Sequence, residues 1–359
     1  MAEKNKKILL TGGGTTGHVA VNLALIPELK KEGYEIYYMG SKKGIEKDLI
    51  SAFDYVKYIP ISTGKLRRYF SWENLKDVFK VLAGIFQAAF KILMIRPDVT
   101  FSKGGFVSVP VIIGSWINRV PSITHESDLT PGLANKINSR FVKKTFTTFP
   151  ETERYIPNKK GSFLGPVIRE SLKNGDRQKG LSFIKAMGDK PIILVMGGSL
   201  GATSLNKVIR ENLKALTEKY YLVHGTGKNG LTSDPEILAN KNYIQFEYIN
   251  DELKDVLSAT DLVISRSGSN AIFEFLYYKL PMLLIPLSAK SSRGDQIENA
   301  KSFENQGFAK LLQEEDITGE KLMEYVDDLY ENRAAYKENM KAFDFDDSLG
   351  KILDEIRKY

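Results

Sequence analysis

The sequence predicts an α/β protein made of two similar domains that face each other. Short apolar runs alternate with helical patterns along most of the chain, which is typical of βαβ units and a parallel sheet. Each half also contains one apolar run that breaks into glycines and then resumes as a helix, after Leu10 and after Met196. A length of 359 residues leaves room for two domains of ordinary size.

The composition narrows the class of protein. The chain is 42% hydrophobic and 26% charged and has no cysteine, which excludes disulfides and thiolate chemistry. Only a short apolar run precedes Thr11, and no stretch approaches roughly eighteen uninterrupted apolar residues, so we expect neither a signal peptide nor a transmembrane helix. The formal net charge of +7 indicates an anionic partner, and the lack of a recognisable nucleic-acid module favours a membrane surface or an anionic ligand.

The first glycine-rich turn predicts an anion site. A strand is predicted over Lys7–Leu10, the glycines Gly12–Gly14 follow, and a helix is predicted over Val19–Lys31. The helix start would offer N–H groups and a partial positive charge to a phosphate, although an ordinary glycine-rich βα turn also explains the glycines. His18 lies next to the helix start, where it could accept a proton, bind a phosphate or serve only the fold.

Two further polar clusters follow predicted strands of the first half. The other strands predicted there are Glu35–Met39, Asp98–Ser102, Ser122–His125 and Thr145–Thr148. The cluster Lys103–Gly105 follows one strand, and His125–Asp128 ends another. Because ligands bind at the carboxyl ends of strands in open α/β sheets, we expect these clusters and the first glycine turn to line one crevice, although a simple turn explains each cluster singly.

The segment from Ser62 to Arg96 predicts a basic turn followed by a long helix capped by Ser71. Apolar side chains cover about half of the helix circumference. They are Trp72, Leu75, Val78, Phe79, Val81, Leu82, Ile85, Phe86, Ile92 and Leu93. The helix could lie between the sheet and a neighbouring element, or part of its apolar surface, edged by Arg67 and Arg68, could rest on a membrane with anionic lipid.

The chain changes character near Gly165, where we place the domain boundary. A polar, proline-punctuated stretch covers Phe149 to Lys160, and Ser162–Arg169 is interpreted as the linker into the second domain. The strands predicted beyond it are Pro191–Met196, Tyr221–His224, Tyr243–Glu247, Asp261–Ser265 and Pro281–Pro286. The tail from about Gly319 is predicted to be helical, and its last amphipathic piece could cross back onto the first domain.

A polar loop also follows each of three predicted strands in the second half. Gly197–Ala202 repeats the opening pattern, with the Ser199 hydroxyl beside the backbone amides. A helix would start at Gly268, and Glu274, about two turns on, is suited to bridge a ribose diol, although a solvated glutamate explains it as well. Ser291–Ala300 is the third polar loop, and it leads into another predicted helix.

Seven motifs, taken together in this order, resemble the bacterial MurG family. They are TGGGTTGHV, SKGGFVSVP, HESDLTPGLANK, LGPVIRE, VMGGSLGA, SRSGSNAIFEF and DQIENA, and they run from about residue 7 to residue 310. Members of that family are UDP-N-acetylglucosamine transferases that act on the undecaprenyl-pyrophosphoryl-muramyl-pentapeptide lipid of peptidoglycan synthesis. The resemblance implies a fold of the glycosyltransferase B type, with two Rossmann-like domains facing across a cleft.

The resemblance also implies a function for each domain. Residues 1–164 would form the N-terminal acceptor- and membrane-binding domain and residues 165–339 the C-terminal UDP-sugar-binding domain, and the helix at about 340–359 could pack back on the first. N-acetylglucosamine would be transferred, with inversion, to the C4 hydroxyl of the muramyl sugar. The implied partners are UDP-N-acetylglucosamine, the undecaprenyl-linked muramyl-pentapeptide, an anionic membrane surface at the cytoplasmic face of the cell membrane and other cell-wall synthesis proteins, but no nucleic acid.

Site residues are carried over from the family position by position. Glu274 would hold the donor's ribose, Ser199 the diphosphate and Gln296 the N-acetylglucosamine. The residues implied at the donor are Thr15, Thr16, Gly17, Arg169, Gly198, Ser199, Ile249, Ser267, Gly268, Glu274, Asp295 and Gln296. Those implied at the acceptor are Gly13, Gly14, Gly104, Gly105 and His125, and those implied at the membrane are Arg67, Arg68, Trp72, Leu75, Phe79, Leu82 and Phe86.

The implied reaction needs a general base and a neutralised diphosphate. His18 is the first candidate for the base, because an imidazole titrates near working pH, and Glu126 and Asp128 are the second. Helix-terminus amides and Arg169 would neutralise the diphosphate, so neither a metal nor another cofactor is expected. Asp128 stands where the family's best-known form has asparagine, and Asp295 where it has glutamine, which adds acid near sugar hydroxyls or phosphate.

Other classes of protein share parts of this pattern. A transferase of the same fold with a different lipid or a soluble acceptor fits the glycine loops, and so does a UDP-sugar-binding protein without activity. The basic, apolar helix around Trp72 favours a lipid acceptor, and His18 in its loop favours turnover. A nicotinamide-dependent dehydrogenase is disfavoured, because the second strand ends in Met39–Lys42 without the acidic residue that would bind the ribose.

Overall fold

The computed structural model describes residues 6–64, 72–186, 188–198, 202–290 and 292–359 of the chain, and residues 72–76 by their backbone alone. Ser71, the predicted cap of the long helix, lies outside these residues. Contacts between Cα atoms divide the chain into two compact units. The first unit comprises Met1–Arg169 and Asp346–Tyr359, and the second comprises Glu170–Phe345.

Strands and helices alternate in both units. The strands are β1 (Lys7–Thr11), β2 (Glu35–Ser41), β3 (Lys57–Ile61), β4 (Val99–Ser102), β5 (Ser122–Glu126), β6 (Lys144–Thr147), β7 (Gly161–Phe163), β8 (Ile192–Met196), β9 (Tyr221–Gly225), β10 (Tyr243–Phe246), β11 (Leu262–Ser265), β12 (Met282–Leu284) and β13 (Ala309–Leu311). The helices are α1 (Ala20–Lys31), α2 (Ile45–Ile50), α3 (Trp72–Ile95), α4 (Ser108–Ile117), α5 (Leu133–Phe141), α6 (Arg177–Ile184), α7 (Thr203–Glu211), α8 (Leu213–Lys219), α9 (Pro235–Leu238), α10 (Leu253–Ala259), α11 (Ser269–Tyr277), α12 (Asp295–Asn305), α13 (Gly319–Glu331), α14 (Arg333–Lys341) and α15 (Ser348–Arg357).

The first unit contains a doubly wound parallel sheet. Within the described residues its strands lie in the order β3-β2-β1-β4-β5-β6-β7, and neighbouring strands are parallel. The strand order reverses between β1 and β4, so the loops that leave these two strands diverge to opposite faces of the sheet. Ligands bind at such a switch point, and here the glycine turns predicted as site loops follow both strands.

The second unit repeats this arrangement. Its described strands lie in the order β10-β9-β8-β11-β12-β13, again with parallel neighbours. The switch point falls between β8 and β11, which are followed by the glycine loop after Met196 and by the loop at Ser267. Both units therefore have the strand order of a Rossmann-like domain, and the predicted polar loops stand at the carboxyl edge of each sheet.

Buried parallel strands explain the continuous apolar runs in the sequence. Ile192–Val195 of β8 are at most 2% exposed, because helices cover both faces of the sheet. In the first unit the core also includes the last helix, since Ile352 and Ile356 of α15 are fully buried in the cluster that contains Leu25 of α1. The Ser348 hydroxyl donates to the Leu164 carbonyl oxygen (2.8 Å) at the start of that helix.

Three strands were not predicted from the sequence: β3, β7 and β13. All three lie at an edge of their sheet, where burial on both faces is incomplete and the apolar run is short or broken. Pro60 lies inside β3, which suits an edge strand because proline has no N–H for a further neighbour. Strand β7 overlaps the segment Ser162–Arg169, which was interpreted as a linker, and this interpretation is wrong for its first residues.

The apolar surface of α3 separates into a buried and an exposed face. Ala88 and Ile92 are fully buried and pack with Leu9 and Val111 in the core of the first unit. The exposed large apolar side chains are Val78, Phe79, Leu82, Phe86, Phe90, Leu93 and Met94. By length and composition alone, Asp77–Ile95 is apolar enough to cross a membrane. One face of this helix nevertheless belongs to the core of a folded unit.

Candidate active site

The glycine turns after β1 and β4 interlock at the switch point of the first unit. The Gly13 N–H donates to the Gly104 carbonyl oxygen over 3.4 Å. Gly105 has a φ of +79°, and a Cβ added there would lie 2.1 Å from the Gly13 carbonyl oxygen and 3.1 Å from the His18 ring. A glycine is therefore required at this contact, and three residues predicted as site residues, Gly13, Gly105 and His18, come together.

Some amides of the first turn already have partners within the protein. The His18 N–H donates to the Thr15 carbonyl oxygen (3.1 Å) in a short 3₁₀ turn. The Gly14 N–H donates to Oε2 of Glu46 (3.2 Å), a fully buried side chain. The predicted anion site thus has fewer amides available for a phosphate than a bare helix start would offer, because the turn and a carboxylate of the protein use them.

His18 is partly exposed, and its ring is oriented by a neighbouring hydroxyl. Nδ1 of His18 lies 2.9 Å from Oγ1 of Thr15. When Nδ1 carries the ring proton and donates it to this oxygen, Nε2 keeps a lone pair and can accept a proton. Thr15 is exposed, and Thr16 and Gly17 are partly exposed, so the turn is open to a substrate.

Glu126 is buried and holds the loop that follows β5. Its Oε1 accepts a hydrogen bond from the Asp128 N–H (3.0 Å), and its Oε2 accepts from the Gly132 N–H (3.0 Å) and from Nδ2 of Asn135 (3.0 Å). Three donors of its own loop use lone pairs of this carboxylate that a base would need. Asp128, by contrast, is only partly buried.

An amide network on α5 supports the second glycine turn, and its members were not predicted as site residues. Asn135 packs against Gly104, because a Cβ added to that glycine would lie 2.7 Å from Nδ2 of Asn135. Nδ2 of Asn138 donates to Oγ of Ser108 (2.7 Å), which donates to the Gly105 carbonyl oxygen (2.7 Å). Two buried amides one turn apart on a predicted helix are the sequence signal that could have indicated this network.

Lys103 and His125 are buried side by side in the floor of this region. Both side chains are 1% exposed, and neither Nζ of Lys103 nor Nδ1 of His125 has a hydrogen-bond partner among the described residues. Burial lowers the pKa of Lys103 to about 8, and the charges of Glu126 and Asp128 oppose this shift. Burial, together with the Lys103 charge, lowers the pKa of His125 well below its usual value, so His125 is neutral. His125 therefore exposes almost no surface to which an acceptor substrate could bind.

Hydrogen bonds join the loops after β11 and β12 in the second unit. The Ser267 hydroxyl donates to the Gln296 carbonyl oxygen (2.7 Å), and Nδ2 of Asn299 donates to the Ser267 carbonyl oxygen (3.2 Å). Oε1 of Gln296 accepts from the Leu287 N–H (3.1 Å), which fixes the orientation of that amide. Two residues predicted at the donor, Ser267 and Gln296, are thereby brought together.

The glycine positions beside these loops are open to a ligand. A Cβ added at Gly198 or at Gly268 would meet no atom of the described residues within 4 Å. Glu274, predicted to hold a ribose, lies on α11, which begins just after Gly268, and is 9% exposed. Ser199 lies outside the described residues.

The remaining predicted donor residues have different surroundings. Ile249 is partly exposed in the segment that follows the edge strand β10. Arg169 is partly exposed and is the last residue of the first unit before the chain enters the second. Asp295 forms an ion pair with Arg293, whose Nε lies 3.1 Å from Oδ1 of the aspartate. The arginine therefore balances part of the negative charge of Asp295.

A buried arginine, not predicted as a site residue, stabilises the base of the same loops. The Arg266 side chain is 5% exposed, and its Nη1 donates to the carbonyl oxygens of Ile285 (3.0 Å) and Pro286 (3.1 Å). Its Nη2 donates to Oγ of Ser204 (2.8 Å) and to Glu314 (2.5 Å). Burial alone would raise the pKa of Glu314, but the hydrogen bonds from Ser204 and Arg266 lower it below its usual value, so the pair is ionised.

Among the described residues, no cluster of three or more His, Asp or Glu side chains is arranged to hold a metal ion. The groups that gather at the loops of the second unit are backbone amides, hydroxyls and side-chain amides, which bind phosphates and sugar hydroxyls. Independence of a metal remains a prediction.

Two domain families cover most of the chain. Residues 8–147 match the glycosyltransferase family 28 N-terminal domain, and residues 192–354 match the glycosyltransferase family 28 C-terminal domain. The chain belongs to glycosyltransferase family 28. These matches coincide with the two Rossmann-like sheets, so the fold is of the glycosyltransferase B type and the enzyme class is a glycosyltransferase, as the sequence predicts.

Relatives of this family 28 enzyme cover nearly its whole length. A protein of Geobacillus kaustophilus, named UDP-N-acetylglucosamine–N-acetylmuramyl-(pentapeptide) pyrophosphoryl-undecaprenol N-acetylglucosamine transferase, is 52% identical over 97% of each chain. A protein of the same name from Staphylococcus saprophyticus is 50% identical over 97% of this chain and 98% of its own. The crystal structure of Acinetobacter baumannii MurG covers 99% of this chain and 100% of its own, with a TM-score of 0.77 and 25% identity. The resemblance to the MurG family is confirmed.

We expect Gly105→Ala to lower turnover about 10- to 100-fold, because an error of about 1 Å in the position of a reacting group has effects of that size. A Cβ at this position meets backbone 2.1 Å away and also presses on the His18 ring. Steady-state turnover and urea unfolding of the purified enzyme measure the effect.

The matched control is Gly33→Ala. Gly33 has a φ of +80°, almost that of Gly105, but a Cβ there meets nothing within 4 Å. This variant carries only the conformational strain, about 1 kcal/mol, and should keep normal turnover. Equal losses of turnover in the two variants would contradict the importance of the close contact.

Proposed function

We propose that this family 28 enzyme transfers N-acetylglucosamine from UDP-N-acetylglucosamine to the C4 hydroxyl of the undecaprenyl-pyrophosphoryl-N-acetylmuramyl-pentapeptide, the lipid I to lipid II step of peptidoglycan synthesis. The proposal rests on one observation: relatives named for this transfer are 52% and 50% identical to this chain over nearly its full length. The polar loops at the switch point of each sheet support it, because they supply one site for each substrate.

The second unit would bind the donor. Gly198 precedes α7 and Gly268 directly precedes α11, and the amides and dipoles of helix starts suit a diphosphate. Glu274 would accept hydrogen bonds from the ribose hydroxyls. Because Oε1 of Gln296 is bonded to a backbone N–H, its Nε2 is the group that would donate to N-acetylglucosamine. Arg169 and Ser199 would add positive charge and a hydroxyl at the phosphates.

The reaction would be a single displacement with inversion. The C4 hydroxyl oxygen of the muramyl sugar forms a bond to C1 of N-acetylglucosamine, and the bond between C1 and the β-phosphate oxygen breaks. UDP leaves with both electrons of that bond, and the hydroxyl proton passes to the base. Amides and Arg169 would stabilise the negative charge that develops on the diphosphate.

His18 suits the base better than the two carboxylates do. Nδ1 of its partly exposed ring lies 2.9 Å from Oγ1 of Thr15, and the ring stands at the switch point beside Gly105. The Glu126 carboxylate is committed to three donors of its own loop. Asp128 is more accessible than Glu126 and stays the second candidate.

Transfer to a short-chain lipid-linked muramyl-pentapeptide tests the proposal, with UDP-N-acetylglucosamine, UDP-glucose and UDP-N-acetylgalactosamine as donors and a chelator present. We expect product from the first donor alone. Activity that appears only when a metal is added would disprove metal independence. Binding of UDP without transfer from any donor would favour a different acceptor or a non-enzymatic UDP-sugar-binding protein.

We expect His18→Ala to lower kcat by about two to four orders of magnitude, the usual contribution of a general base. Thr15→Val should lower kcat less, because the ring loses the hydroxyl that orients it, whereas Thr15→Ser keeps that hydroxyl and should stay near wild type. Steady-state kinetics with saturating donor measure all three variants. A His18→Ala enzyme with normal fold and near-normal kcat would exclude His18 as the base.

The exposed face of α3 would hold the enzyme on an anionic membrane surface, where its acceptor is found. Phe79, Leu82 and Phe86 are 65%, 46% and 76% exposed on this face. Lys91 is exposed on the same helix, and a net charge of +7 favours anionic lipid. Of the other residues predicted at the membrane, Arg67 and Arg68 lie outside the described residues, and the structure describes only the backbone of Trp72 and Leu75. Peripheral attachment at the cytoplasmic face of the cell membrane is thus part of the proposal.

We expect Phe79→Ser with Phe86→Ser to weaken binding to vesicles that contain anionic lipid by about tenfold or more, because two exposed rings no longer enter the interface. Flotation of the enzyme with such vesicles measures the binding. Phe163→Ser is the control, since Phe163 is 46% exposed on β7 of the same unit. Unchanged flotation of the double variant would contradict attachment through this face.

A further inference from the structure

A buried carboxylate lies beneath the first glycine turn. Glu46, in the first turn of α2, is 0% exposed. Its Oε2 accepts from the Gly14 N–H (3.2 Å), and its Oε1 accepts from the N–H (3.0 Å) and the hydroxyl (2.5 Å) of Ser41. Among the described residues, no Lys or Arg side chain makes an ion pair with it, so the carboxylate is stabilised by N–H and O–H dipoles.

The glycines on both sides of Glu46 leave space for its carboxyl group. A Cβ added at Gly13 would lie 2.5 Å from Cδ of Glu46. A Cβ added at Gly44 would lie 2.3 Å from each carboxylate oxygen. The turn after β1 and the turn between β2 and α2 are therefore shaped around this one side chain. A bound anion would use the same kind of contact, backbone N–H groups with no Cβ in the way.

Glu46 contacts the turn next to the part that carries His18. Gly14, whose N–H it holds, directly precedes Thr15, and the Thr15 carbonyl oxygen accepts the His18 N–H (3.1 Å). Thr15 also contacts the His18 ring through its hydroxyl. The position of Gly14 thus determines where the Thr15 backbone and hydroxyl can meet His18.

We propose that Glu46 is a positioning residue for the transfer: as an internal anion it holds the Gly14 amide and thereby sets the conformation of Thr15–His18. The proposal rests on the proposed function, in which His18 acts on the acceptor. It also explains why the first glycine turn resembles a phosphate site in sequence, since the anion at Gly14 is supplied by the protein itself.

Glu46→Gln removes one acceptor and adds a donor without changing the size of the side chain. A glutamine has a single amide oxygen, so its NH₂ group must face either the Gly14 N–H or the Ser41 donors. We expect kcat to fall about 10- to 100-fold, as for a reacting group displaced by about 1 Å, while KM for UDP-N-acetylglucosamine stays within about threefold of wild type.

Asp48→Asn is the matched control. Asp48 lies on the same helix, is exposed, and loses the same charge when it becomes an amide. We expect this variant to keep the kcat and the pH profile of the wild type. A change of net charge therefore cannot account for a difference between the two variants.

Histidine NMR reports the conformation of the turn independently of activity. The chain has three histidines, and His125 and His224 are at most 1% exposed, whereas His18 is partly exposed. In enzyme labelled at the imidazole, Glu46→Gln should shift the His18 signals and leave those of the two buried rings in place. Asp48→Asn should shift none of the three.

Unchanged His18 signals and unchanged kcat in folded Glu46→Gln enzyme would overturn the proposal. A lower unfolding temperature with normal kcat and normal His18 signals would overturn it too, because it would show a purely structural role. If His18→Ala proves fully active while Glu46→Gln still shifts the His18 signals, the base role of His18 fails and the hold of Glu46 on the turn stands.

Glu46→Asp keeps the proposal testable if the glutamine variant does not fold. Aspartate retains a carboxylate but is shorter by one methylene, so its two oxygens cannot reach both Gly14 and Ser41. We expect a smaller displacement of the His18 signals than in Glu46→Gln and a correspondingly smaller loss of kcat. Wild-type signals and kcat in this variant would overturn the proposal.

Discussion

Close backbone approach at the switch point of the first sheet is the constraint on which the proposed acceptor-side site depends. Strands β1 and β4 are neighbours in a buried parallel sheet, so their glycine turns leave from adjacent positions at the same edge. Gly105 lets the two turns touch through backbone atoms, and His18 packs on that contact. A side chain at this position would push the ring away from the place where the two loops meet, so the geometry of the sheet limits the geometry of the proposed catalytic group.

Buried charges are used in this protein to keep loops rigid. Glu126 accepts three donors from its own loop, Glu46 holds the first glycine turn, and Arg266 binds the loops after β11 and β12 through carbonyl oxygens and Glu314. A buried charge is costly unless its hydrogen bonds are satisfied, and each of these groups has partners. Such groups add little net stability, but their hydrogen bonds tie each loop to its neighbours, and a displacement reaction needs its groups at fixed distances.

Helix α3 illustrates how one apolar helix can serve the fold and an interface together. Ala88 and Ile92 occupy the core, whereas Phe79 and Phe86 on another face stay exposed. A lipid-linked acceptor is presented at a membrane surface, and an enzyme that rests there meets it by diffusion in two dimensions. The exposed rings are therefore consistent with the proposed acceptor, although they contribute nothing to the core of the unit.

The sequence by itself determined the class of fold, the family and the loops in which substrates are expected, because buried parallel strands, glycine turns and helix starts are all local patterns. It missed β3, β7 and β13, since short edge strands bury too little to leave a continuous apolar run. Only the tertiary structure decided that Glu126 and His125 are buried while His18 is accessible, and that Glu46 reaches Gly14 across 32 residues of chain. These outcomes depend on strand order and register, which bring together residues far apart in sequence and are not encoded in any one segment.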